Sequence, residues 1–128
     1  MKPNELMVED WVIRKGVSKE PMRIYNINVS AGTVYLDQDG RGVTEKFENI
    51  EPIPLTLEIL KKNGFVYADL PFEDFYEGYG LHIHGGNYAD GHSNWYIICG
   101  INVSMNVTHV HELQHVFKLC GIEKDIIL

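Results

Sequence analysis

Apolar positions recur along the first fifty residues at the spacing of strands. Met7-Val8-Glu9-Asp10-Trp11-Val12-Ile13-Arg14 carries β-branched and aromatic residues and stops at Gly16. Apolar residues at 22, 24, 27 and 29, with Tyr25 between them, begin as alternation and slip once. Such a slip marks a bulge. Ser30-Ala31-Gly32 reads as a tight turn, and Thr33 to Asp37 as another strand. Asp39-Gly40 is a favoured hairpin pair, which makes Val43 to Phe47 the return strand. Short strands joined by tight turns predict a small barrel, of SH3-like type, over residues 1–52.

Glu51-Pro52-Ile53-Pro54 interrupts this pattern, because two prolines so close together oppose regular ladder bonding. Thr56 then caps a predicted short hinge helix, Leu57 to Asn63, closed by Gly64. Residues 53–128 read as an antiparallel-sheet half with one C-terminal helix. Strands are expected at Phe65 to Ala68, Gly80 to His84, Asn94 to Cys99 and Ile101 to Met105. From Val110 the period changes, with apolar residues at 110, 113, 116, 117 and 120. That is the stripe of an amphipathic helix, with Gly121 as its stop. The fold class expected is α+β, with the two halves forming one compact unit.

Composition is that of an ordinary globular chain: 128 residues, 45% apolar and 23% charged. The start, Met1 to Glu5, does not read as a signal peptide, and no apolar run has the roughly 20 residues of a membrane span. Cys99 and Cys120 sit among apolar residues, as buried thiols of a reducing cytoplasm do. Net charge is -7 and uneven. Residues 1–50 hold seven Lys/Arg against eight Asp/Glu, whereas 51–128 hold four against ten. An acidic surface repels phosphate backbones, so nucleic acid is a poor partner and a protein a better one.

Three stretches occur together in a known setting: Glu9-Asp10-Trp11-Val12, Ile53-Pro54-Leu55-Thr56 through Asn63-Gly64-Phe65, and Val110-His111-Glu112-Leu113-Gln114. In this the chain resembles a group of small proteins of gut bacteria, often carried on prophages or other mobile elements and without an assigned activity. The resemblance implies a cytoplasmic protein in a mobile-element context. In that group the helix start is similar to Val-His-x-Leu-Gln, and the positions of Glu112 and His115 need not be Glu and His.

Three constellations bear on chemistry. His111-Glu112-Leu113-Gln114-His115 fits the pattern in which two histidines one turn apart hold zinc and the intervening glutamate acts as base. With Val110 at 0°, His111 falls near 100° and His115 near 140°. They share a face with Gln114 and Lys118, opposite the apolar stripe, and that face is expected to be solvated. A third ligand has to come from His82, His84 or His92. His82 and His84 alternate on a strand and so point to one sheet face. Finally, nine of the fourteen aromatics lie within residues 65–96. Phe72, Phe75, Tyr76, Tyr79, Tyr88 and Trp95 are the candidate interaction patch among them. The interleaved Asp69, Glu73, Asp74 and Glu77 weigh against nucleic acid there.

These readings favour a non-enzymatic binding or structural module with no cofactor. The alternatives are a zinc-dependent hydrolase with Glu112 as base, and a nucleic-acid-binding small barrel.

Overall fold

A computed structural model of the chain describes residues 1–70, 73–87, 93–99 and 103–128. It divides into two compact units, Met1–Ile53 and Pro54–Leu128. Each contains one five-stranded antiparallel sheet, and the second also has two α-helices, so the protein is α+β and mostly β.

The first unit contains β1 (Trp11–Arg14), β2 (Ser18–Asn28), β3 (Thr33–Gln38), β4 (Arg41–Lys46) and β5 (Ile50–Pro52), in the order β4-β3-β2-β1-β5. The expected slip is present. The β2/β3 register shifts between Ile24 and Asn26, leaving Tyr25 as the extra residue. The expected hairpin is present too. Asp39 and Gly40 both have positive φ, 51° and 83°, as a two-residue type I′ turn requires. Inward-facing Val12, Met22, Ile24, Val34, Leu36 and Ile50 form the core together with Leu6.

Two expectations are corrected by this sheet. Met7–Asp10 is a turn and not the start of a strand. The buried Asp10 carboxylate accepts the Met7 N–H at 2.8 Å, the kind of local bond that competes with strand pairing. Pro52 does not break the sheet but ends β5, opposite Val12 of β1. An edge strand tolerates proline because its outer side needs no N–H donor. Among the described residues no ladder joins β4 to β5. The chain between them turns as a 3-10 helix over Phe47–Asn49. Arg14 of β1 nevertheless reaches Glu45 of β4, two strands beyond its neighbour, with Nη2–Oε1 at 2.8 Å.

The second unit begins with α1 (Leu57–Lys62), followed by β6 (Val66–Leu70), β7 (Glu73–Gly78), β8 (Leu81–Asn87), β9 (Ser93–Cys99), β10 (Val103–Val107) and α2 (Val110–Leu119). The strands form a simple meander, β10-β9-β8-β7-β6. Thr56 caps α1 as predicted, its Oγ1 accepting the Ile59 N–H at 3.3 Å. Both helices end in the same way. Gly64 and Gly121 adopt positive φ, while Phe65 N–H bonds to Leu60 O and Ile122 N–H to Phe117 O. These are Schellman ends, and glycine is the residue that reaches the left-handed region without strain.

Register explains which residues enter the core of this unit. Leu81, Ile83, Trp95, Ile97 and Val107 lie on one sheet face and are buried. The α2 stripe of Val110, Leu113, Val116 and Phe117 is buried as well, with the Phe117 ring stacked 6.2 Å from Phe65. The Trp95 indole N–H donates to Leu55 O at 2.8 Å, which satisfies its one polar atom inside the core. Buried Asn63 anchors the chain end. Its Nδ2 donates to Ile59 O and Ile127 O, and its Oδ1 accepts from Ile127 N–H at 2.7 Å.

Candidate functional site

The start of α2 gathers four titratable side chains, His109, His111, Glu112 and His115. Leu55 N–H bonds to Thr108 O at 2.9 Å and Pro54 bridges His109, which fixes the chain entering the helix. His109 is the N-cap and Glu112 the third residue of the first turn, so the Glu112 side chain can fold back over the exposed N–H groups. It does so. Its Oε1 accepts from Thr108 N–H at 3.2 Å, Thr108 Oγ1 at 2.9 Å and His109 N–H at 3.0 Å, and lies 3.1 Å from His109 Nδ1. Burial pushes this carboxyl up. The bonds from His109 and Thr108, with the nearby His111, pull it down further, to about 2. A carboxylate held this way is a helix cap and a weak proton acceptor near neutrality.

His111 and His115 project from the next positions as the helix wheel requires. Their ring centres are 5.5 Å apart with planes at 80°, and the His109 ring lies 5.9 Å from that of His111. The face is not the solvated one expected. His111 and Gln114 are buried, at 6% and 8% exposure, His115 is half-buried, and only Lys118 is exposed. Apolar periodicity locates the stripe that enters the core and carries no information about what encloses the opposite side.

The histidines expected to complete a metal site are placed otherwise. His82 and His84 share one sheet face, as the alternation predicts, and both rings lie against buried Phe75, at 4.4 and 5.3 Å between centres. His92 lies outside the described residues. Among the described residues no group of three or more His, Cys, Asp or Glu side chains is placed to hold a metal ion.

Among the four described residues of the aromatic patch, three are buried or half-buried. Trp95 and Phe75 are buried, at 2% and 5% exposure, and half-buried Tyr76 packs between Tyr67 and Trp95. Tyr79 is exposed at its rim. Its ring packs on Phe65 and Phe117, and its hydroxyl donates to Asn63 O at 2.6 Å. Phe72 and Tyr88 lie outside the described residues.

The exposed aromatic pair of the first sheet was not anticipated. Tyr25 and Tyr35 are 70% and 42% exposed and meet edge to face, 6.1 Å between centres. The Tyr35 ring occupies the space a side chain at Gly42 would fill: a Cβ there would lie 1.6 Å from its hydroxyl oxygen. The end of the tyrosine ring thus reaches over Gly42, and Asn26 and Thr44 flank Tyr35 at its register position. The signal was available in the sequence. Tyr35 alternates with inward Val34 and Leu36, and a turn at Asp39-Gly40 brings Gly42 diagonally beside it.

A shallow cleft of about 660 Å³ in the same unit is lined by Lys2, Glu5, Lys46 and Glu48 among others, a balanced set without converging acid–base groups. No helix among the described residues is long and apolar enough to cross a membrane. No protein-family model, no curated protein and no solved structure matches the chain.

Proposed function

We propose that this protein is a non-enzymatic binding module of prophage or mobile-element origin, acting in the cytoplasm on a protein partner. One observation carries the reading: Tyr25 and Tyr35 stand exposed, side by side, on a sheet whose own core is complete without them. Tyrosine contributes large contact area at low entropy cost and is enriched where binding energy concentrates. Their neighbours Asn26 and Thr44 add hydrogen-bonding groups without charge. The commitment of Glu112 to the helix cap weighs against the hydrolase alternative. The net charge of -7 weighs against a nucleic-acid partner.

We also read the first unit as an SH3-like barrel. In a flat five-stranded sheet the edge strands stand four spacings apart, about 19 Å. Here the two edges, β4 and β5, are joined by a 3-10 turn of three residues, at roughly 2 Å of rise per residue. So short a link requires the sheet to roll, and the Arg14–Glu45 pair spans the rolled side.

The test is capture from a host lysate by immobilised wild-type protein and by a Tyr25→Ala/Tyr35→Ala variant. Both changes are at exposed positions, so the fold should persist, as circular dichroism would check. The expected result is a protein retained by the wild type and lost by the variant. Equal retention by both, or none by either, refutes the proposal.

A further inference from the structure

The binding reading assigns no role to His111 and His115 of α2. His111 and His115 are one turn apart, and residues at i and i+4 project to the same side of a helix. A histidine nitrogen binds zinc at about 2.0–2.1 Å, which places the ring centre roughly 3.2 Å from the ion. Two rings at a tetrahedral angle then have centres about 5.2 Å apart. The observed separation is 5.5 Å, with the planes nearly perpendicular. His109 differs. Its ring is within 29° of parallel to that of His111, and its Nδ1 lies 2.8 Å from Thr108 Oγ1 and 3.1 Å from Glu112 Oε1. It belongs to the cap.

The geometry points to a two-imidazole site at His111 and His115 for a divalent transition-metal ion of the zinc type, its remaining positions taken by water. Imidazole pairs select zinc, nickel or copper over magnesium and calcium, whose ligands are oxygens. Among the described residues no third protein ligand joins the pair, so the site is a chelate on a finished helix and not a folding nucleus. Glu112 takes no part, since its Oε1 already accepts the cap hydrogen bonds. The assignment does not depend on a protein partner.

The experiment is calorimetric titration of the untagged full chain with zinc chloride, with magnesium chloride as control. The expected result is one zinc per chain and no magnesium. Affinity should fall at least about tenfold in His115→Ala, the difference between a chelate and a single ligand. It should be unchanged in the His82→Ala/His84→Ala double variant. His115 is half-buried at the second turn, so His115→Ala decides the matter even where His111→Ala fails to fold. No binding tighter than about millimolar overturns the proposal. So does zinc affinity that survives His115→Ala, or that is lost in the His82→Ala/His84→Ala protein.

Discussion

Replacing Glu112 by glutamine keeps the shape of the α2 cap and removes its charge, so it isolates the ionised carboxylate. Folding carries this group from an ordinary value of 4.5 to about 2. That interval corresponds to at most ~3.4 kcal/mol. The side chain is 35% exposed, so water and salt screen part of it, and about 1–2 kcal/mol is the contribution expected. This matches the usual worth of a helix cap. Because the folded value lies below the unfolded one, the stabilisation is complete above about 4.5 and is lost as pH falls toward 2. Urea denaturation of wild type and Glu112→Gln near pH 7, 5 and 3 reads this directly. The wild type should be more stable by about 1–2 kcal/mol at pH 7, and by well under half as much at pH 3. A gap of constant size across that range would refute the argument, since the loss would then come from shape and not charge. A gap that widens in acid would reverse its sign and refute it as well.

Asn63→Ala removes three side-chain hydrogen bonds, one to Ile59 O within α1 and two that tie α1 to Ile127. It should cost about 2–3 kcal/mol and speed amide exchange at Ile127. Gly121→Ala places a side chain at φ 70° where nothing lies within 4 Å of its Cβ, so its cost is backbone strain alone. A loss of about 1 kcal/mol in the urea midpoint is expected, and a loss several times larger would mean that the α2 end is packed more tightly than its geometry indicates.

Features set by neighbours in sequence were the legible ones. Thr56, Gly64, Asp39-Gly40 and Gly121 each act within a few residues of themselves, and each forms the predicted cap or turn. The bulge at Tyr25 was legible because a slip in alternation is itself a local pattern. β7 was missed because Glu73-Asp74 and Glu77-Gly78 are poor strand formers flanking Phe75-Tyr76. It pairs with β6 on one side and β8 on the other, and that pairing overrides propensity. β5 was missed because Pro52 opposes a strand everywhere except at an edge, and edge position is a property of the sheet.

The candidate sites divide along the same line. Counting aromatics between residues 65 and 96 measured the supply of rings and not their direction. In a meander, alternate residues of every strand face the core, so Trp95 was drawn inside with Ile97. Tyr35 faces out for the same reason, with Val34 and Leu36 on either side of it turned inward. What makes room for it is a residue without a side chain: a Cβ at Gly42 would collide with the Tyr35 ring. Density within a window finds cores, whereas a surface becomes readable once a hairpin turn fixes which positions are diagonal neighbours. The α2 histidines were located by helical period alone, and their spacing holds at 5.5 Å. The five-residue pattern that offers Glu112 as an alternative base also satisfies the geometry of a capping box. Thr108 and His109 lie on the N-terminal side of it and supply the donors.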